Sequence, residues 1–284
     1  MPDYFASPAL RRVGNDTLLT IPLTGIEAQI YDRIWRAVVE GKLKSGTKLP
    51  EDVLSEAFGV SRTIVRKVLV ILEQEGIAHL PLNRGAYVAT PSAASARAVL
   101  EAFHMVASYI ARALGAPERI ITTDELDLFD LHISAQAEAE SAGDFATSRL
   151  LTGEFYVLMA AVHGNEILTQ QASNLFTRYL MGLSLYQVPH QHFPRAAIQR
   201  EIVDLLVAGK ADEAEVRVLA NFTAVERTLR FEAVDEVADL REILSGKKSH
   251  IRSSTKEAGA ASEHPKKPGR PPRKPKSRTA TSKT

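Results

Sequence analysis

The stretch "SRTIVRK", residues 61 to 67, places two hydroxyls and three cations, Ser61, Arg62, Thr63, Arg66 and Lys67, within seven positions. Such a set can hold a polyanion. An arginine fork matches the O6 and N7 acceptors of guanine in the major groove, and a lysine neutralises phosphate as a point charge. Ser61 and Thr63 can hold phosphate oxygens through their hydroxyls or through helix N-terminal amides. Further along, "LNRG" offers Arg84 followed by Gly85, a cation on a turn whose glycine lets the backbone approach a partner closely. No nucleophile elbow, phosphate-binding glycine loop or paired-carboxylate motif occurs, so no enzyme, no catalytic residue and no cofactor is expected. The chain has no cysteine, which removes disulfides, thiolate metal sites and cysteine nucleophiles. His104, His163, His190 and His192 lack the spacing of a metal site, and no metal is expected.

The elements around the basic stretch are what would aim it. Ile26, Ile30, Ile34 and Val38 recur every four residues, with Trp35 and Val39 widening the stripe, so a three-to-four-turn helix is predicted up to Gly41 and "SGTKLP". The run "EDVLSEAFGVSRTIVRKVLVILEQEGI" then predicts a short helix ending around Phe58 and a turn through Gly59 and Val60. Ser61 caps a second helix. In that helix Val65, Val68, Leu69 and Leu72 face inward, which leaves Arg62, Thr63, Arg66 and Lys67 outward. Two helices joined by such a turn form a helix-turn-helix, whose second helix enters the major groove N-terminus first. After Gly76, "IAHLPLNRGAYVATP" predicts a β-hairpin with Asn83, Arg84 and Gly85 at its tip, a wing for backbone or minor groove. An ordinary helical hairpin with a solvated basic face would not explain the wing in this order.

The expected fold class is mainly α: a winged helix-turn-helix followed by an all-helical bundle of six to seven helices and a disordered basic tail. The expected divisions are 1–24, an N-terminal extension; 25–91, the winged helix-turn-helix; 92–244, the helical domain; and 245–284, the tail. Charge supports the cut. Residues 245–284 hold 12 Lys or Arg against 2 Glu, whereas 92–244 hold 12 against 22 acidic residues, in a chain of net charge +1. Helices are expected at 93–115, 124–141, 144–163, 165–187, 194–209 and 211 to about 243, with Asp124 and Asp144 as N-caps and "HGN" and "AGKAD" as breaks. No apolar run of transmembrane length and no secretory signal occurs, so the expectation is a soluble cytoplasmic protein, nucleoid-associated when on DNA, with no membrane partner.

Over "IYDRIWRAVVEGKLKSGTKLPEDVLSEAFGVSRTIVRKVLVILEQEGIAHLPLNRGAYV" the chain resembles the DNA-binding domain of the GntR family of bacterial transcription regulators. The resemblance implies that Arg62, Thr63 and Arg66 contact operator DNA and that Gly85 lets the wing tip approach it. One departure is Asp52, where the family often has a DNA-contacting Arg. "EFYVLMAAVHGNEIL" and "REIVDLLVAGKADEAEVRVL" resemble the FadR-type branch (the FCD effector domain). That implies a homodimer with a metabolite-binding helical body, and a repressor reading a pseudo-palindromic operator on double-stranded DNA. The alternative is an architectural DNA-binding protein whose helical domain only dimerises.

Many members of that branch hold a metal with an Asp and three His; the matching positions here are Thr152, Tyr156, Gln199 and Asn221. An Arg and a Glu of the first body helix are replaced by about Leu100 and His104. Two readings stay open. Either His104, Thr152, Tyr156, Gln199 and Asn221 line an effector pocket, or the four polar groups plug a packed core and bond to one another. As a pocket it would favour an uncharged or heterocyclic small-molecule effector. The tail "KKPGRPPRKPK" is similar to an AT-hook, which lies in narrow A·T-rich minor grooves, with Arg270 inserted and Arg273 and Lys274 on phosphates. Pro268 stands where the hook has an Arg, and the other reading is a solubilising tail.

Overall fold

The computed structural model describes residues 5–14, 23–187 and 194–231. His190, His192 and the basic tail with Arg270 lie outside them. The chain divides into two units, Met1–Lys247 and Lys248–Thr284, and the described residues all belong to the first. They are mainly helical, with ten helices and one small sheet, which is the fold class read from the sequence.

Helix α1 spans Pro8–Val13 and α2 spans Gly25–Val39. The α2 stripe buries Ile30, Ile34, Trp35, Val38 and Val39, whereas Ile26, in the first turn, stays 36% exposed. After α2, strand β1 (Lys48–Leu49), α3 (Glu51–Phe58) and α4 (Arg62–Gln74) follow. Gly59 ends α3 in the left-handed region at φ 65°, a conformation glycine adopts at no steric cost. Strands β2 (Ala78–His79) and β3 (Ala86–Val88) form the wing. The sheet has three strands in the order β1-β3-β2, because Lys48 pairs with Tyr87 and Leu49 with Ala86. Strand β1 has no hydrophobic alternation long enough to register in the sequence.

The body comprises α5 (Ala93–Leu114), α6 (Thr123–Ser141), α7 (Phe145–His163), α8 (Glu166–Tyr186), α9 (Arg195–Val207) and α10 (Ala211–Glu226). Two expectations are corrected. Helix α6 is capped by Thr122 rather than Asp124, through a reciprocal capping box with Glu125. Helix α10 ends at Glu226 rather than about 243: its last turn closes through Arg227, and Gln187 bridges to Leu229 in extended pairing. Asp144 and Asn165 cap α7 and α8, accepting from the Thr147 and Leu168 amides.

Part of the N-terminal extension is built into the body. Phe5, Ala9 and Leu10 are buried against it, with α1 packed on α6 and α7. The N-terminal end of α1 is held by a side chain of α7: Glu154 Oε1 accepts from the Ala6 amide at 2.9 Å and Oε2 from the Ser7 amide at 2.7 Å.

Candidate functional site

The cap of α4 sets the orientation of its basic face. Ser61 is extended (φ −72°, ψ 153°) and its Oγ accepts from the Ile64 amide at 3.4 Å, which starts the helix at Arg62. Val65, Val68, Leu69 and Leu72 are fully buried. Helical geometry then turns Ser61, Arg62, Thr63, Arg66 and Lys67 to solvent, and all five are exposed. Among the described residues Arg62 and Arg66 make no ion pair. Lys67 differs, since its Nζ donates to Glu27 of α2 at 2.7 and 2.9 Å, so its charge is partly neutralised.

The wing tip turns through Asn83 (φ 59°) and Gly85 (φ 81°), closed by the Arg84 amide donating to the Pro81 carbonyl at 3.1 Å. Arg84 is exposed there. Beside it lies a cation that pattern reading did not single out. A Cβ on Gly85 would sit 3.7 Å from Cε of Lys48, which is exposed on β1. Its signal was hidden with the strand that carries it. Asp52 is exposed in the first turn of α3, a helix with no side-chain cap, where a carboxylate is favoured by the helix dipole.

The far end of α4 is tied both to α2 and to the body. Glu75, its C-cap, accepts a hydrogen bond from the Tyr31 hydroxyl, and burial raises its pKa against that bond. One residue earlier, Arg178 of α8 donates to the Gln74 carbonyl at 3.3 Å.

In the body, Thr152, Tyr156, Gln199 and Asn221 are all buried, but they fall into two hydrogen-bonded groups. Asn221 Nδ2 donates to the Tyr156 hydroxyl at 2.6 Å, inside a cage of Phe103, Phe155 and Phe222 that raises the phenol pKa by desolvation. Thr152 and Gln199 meet at a residue the sequence did not mark, Gln136 of α6. Its Oε1 accepts from Thr152 Oγ1 at 3.4 Å and from Gln199 Nε2 at 3.3 Å, and its Nε2 donates to Ser148 and Glu140. These bonds fix the Gln199 amide so that its buried Oε1 has no hydrogen-bond partner among the described residues. Mutual bonding is what a packed core would show, and the orphaned oxygen is what it would not. His104 is half-buried, its ring 6.2 Å from Phe222, with no hydrogen bond to the other four. Leu100 is buried. Among the described residues no three His, Asp or Glu side chains gather as metal ligands, and His163 packs edge-on to Tyr109.

Two ionisable groups beneath α1 also escaped pattern reading. The Glu154 carboxyl is pushed up to about 7 by burial, against the Ala6 and Ser7 amides and the charges of Arg11 and Arg36. His132 is pulled down to about 4 by burial, with its bond to the Leu151 carbonyl opposing. His132 Nε2 lies 3.0 Å from that carbonyl and Nδ1 lies 2.7 Å from Ser7 Oγ. The neutral ring therefore donates from Nε2 and accepts the Ser7 hydroxyl at Nδ1. A lone Glu inside the apolar run "TGEFYVLMAAV" was the available signal.

Residues 26–88 match the gntR family of bacterial regulatory proteins, so this stretch is a GntR-type helix-turn-helix domain. An uncharacterized HTH-type transcriptional regulator of Mycobacterium tuberculosis is 33% identical over 60 residues, 21% of this chain and 25% of that protein. The Uxu operon regulator of Haemophilus influenzae is 38% identical over 78 residues, 26% of this chain and 29% of that one. The chain thus aligns to little more than a quarter of the length of these relatives. Among solved structures, a GntR transcriptional regulator of Rhodococcus sp. RHA1 is similar at TM-score 0.62 and 19% identity, covering 72% of this chain and 97% of that one. McbR/YncC of E. coli is similar at TM-score 0.57 and 16% identity, covering 72% and 99%. At these identities the likeness concerns the fold, a helix-turn-helix joined to a helical body. No described helix is long and apolar enough to cross a membrane.

Proposed function

We propose that this chain is a DNA-binding transcriptional regulator, a repressor that binds a pseudo-palindromic operator as a homodimer and responds to a small molecule held in its helical body. The observation that carries the proposal is the exposed set Ser61, Arg62, Thr63 and Arg66 at the N-terminal end of α4, with Arg84 and Lys48 at the adjoining wing. A helix presented this way reads base edges with its first residues while the wing takes backbone or minor groove. Arg62 and Arg66 supply base recognition, Ser61, Thr63 and Lys48 supply phosphate contacts, and Gly85 keeps the tip low. Lys67 supports the face through Glu27 rather than as a free cation.

The effector site is assigned to the buried layer of Thr152, Tyr156, Gln199 and Asn221, with His104 at its edge. What supports it is the unpaired Gln199 oxygen, which a donor on a ligand would satisfy. Helix α8 would carry the response, since Arg178 grips the C-terminal end of the recognition helix. The tail adds non-specific, salt-sensitive affinity through its cations, with Arg270 in a minor groove as an AT-hook would place it. Footprinting of the DNA upstream of the chain's own coding region tests the assignment. Wild type protects a short palindrome, Arg62→Ala loses that protection, and sequence-indifferent coating by wild type would instead favour an architectural protein.

A further inference from the structure

The wing tip carries an apolar side chain left in solvent. Leu82 is 88% exposed, more than any other large apolar side chain among the described residues. A single exposed leucine is ordinary on a protein surface, but the position of this one is not. Two residues earlier, Leu80 packs against the core and its amide donates to Glu73 of α4 at 2.7 Å. The wing is thereby tied to the recognition helix, and the next apolar residue, beyond Pro81, has no core to join.

The tip is a stiff mount for Leu82. Strand β3 is paired on both sides, with β1 through Lys48–Tyr87 and Leu49–Ala86 and with β2 through Ala78–Val88 and His79–Tyr87. Pro81 fixes its own φ. The Arg84 amide closes the turn on the Pro81 carbonyl at 3.1 Å, with Asn83 and Gly85 in the left-handed region that these two residue types tolerate best. The charge around the tip is of one sign. Arg84 is exposed two residues after Leu82, a Cβ on Gly85 would lie 3.7 Å from Lys48 Cε, and no acidic residue occurs from Ile77 to Ser92. An apolar tip flanked by cations fits a polyanion with an apolar interior, which describes a duplex: phosphates line the groove walls and the stacked bases lie between them. An anionic lipid surface asks for a wider apolar face than one leucine.

We infer that Leu82 is a wedge that enters the minor groove beside the segment read by α4 and partly unstacks one base step, with Arg84 and Lys48 on the flanking phosphates. The inference rests on the DNA-binding reading and adds to it a residue that selects DNA by shape. Leucine is one of the side chains that open a step from the minor groove and kink the duplex toward the major groove. Pyrimidine–purine steps such as TA and CA unstack most readily, so Leu82 favours sites with such a step under the wing without a hydrogen bond to any base. Arg62 and Arg66 would then read base edges while Leu82 reads deformability.

Duplexes that wild type retains from a random pool test this when rebuilt with 2-aminopurine, an adenine analogue whose fluorescence rises on loss of a stacked neighbour, at each pyrimidine–adenine step of either strand in turn. At saturating protein, wild type is expected to raise the fluorescence at a step beside the sequence read by α4. Leu82→Ala removes that rise, and Leu82→Met, which keeps an apolar wedge, retains it. Both variants melt with wild type, because Leu82 lies in solvent. Selection with Leu82→Ala recovers the same bases under α4 and loses the pyrimidine–purine preference under the wing. Bound duplexes with no fluorescence rise at any step, or a rise that Leu82→Ala leaves unchanged, would overturn the wedge and leave the DNA-binding reading standing. Failure of wild type to retain any duplex would overturn that reading and the wedge with it.

Discussion

The groups beneath α1 give a prediction with opposite signs in one pH window. Glu154 has a folded-state pKa of about 7, against an ordinary carboxyl value of 4.5. The folded chain then holds that proton more tightly than the unfolded chain, so Glu154 costs stability as pH rises from 4.5 to 7. His132 titrates at about 4 against an ordinary 6.5, so the unfolded chain takes up the proton first, and stability is lost as pH falls from 6.5 to 4. At about 1.4 kcal/mol per pH unit, each contributes about 3 kcal/mol, in opposite directions. In wild type the two nearly cancel. In Glu154→Gln the His132 contribution stands alone, and the variant loses about 3 kcal/mol relative to wild type between pH 7 and 4. In His132→Gln the Glu154 contribution stands alone, and stability relative to wild type rises over the same descent. Urea unfolding followed by far-UV circular dichroism at several pH values reads both differences, and subtracting wild type removes every other titrating group. Parallel profiles for wild type and both variants would refute the burial of these groups by α1. Removing residues 1–14 should return both groups toward water and flatten both differences.

Gly153→Ala should lower the melting temperature, because a Cβ there would lie 2.5 Å from the Phe176 ring; overpacking of this kind costs about 1–3 kcal/mol, and an unchanged melting curve would show that α8 yields freely. Glu27→Gln should tighten DNA binding and steepen its salt dependence, since it releases Lys67 and removes an acid beside the DNA face. A fluorescence anisotropy titration over a range of salt concentrations reads both effects. Deleting residues 246–284 should weaken DNA binding and flatten its salt slope without altering the protected sequence, which the same titration and a footprint would check.

The helix-turn-helix was legible because its signals are local. Gly59 and Ser61 fix the turn and the cap, and the spacing of Val65, Val68, Leu69 and Leu72 fixes which face of α4 is exposed. Helix boundaries in the body followed from Asp144, Gly164, Asn165 and Gly209 for the same reason. What escaped depends on partners distant in sequence. Strand β1 exists only through its pairing with β3, so Lys48 could not be placed beside Gly85. The Pro8–Val13 helix is shorter than a stable isolated helix, and it is held by Glu154, some 148 residues away. Thr152 and Gln199 were named without Gln136, the amide that joins them, because Gln136 lies on a third helix with no motif.

The proposed function makes the exposed face of α4 the part that chooses the DNA sequence. Selection of bound duplexes from a random pool, with wild type and with an Arg62→Ala, Arg66→Ala double variant, tests it most directly. Wild type is expected to enrich one pseudo-palindromic consensus, and the double variant to bind DNA weakly and enrich none. The same consensus recovered by both proteins, or no consensus from wild type, would contradict it.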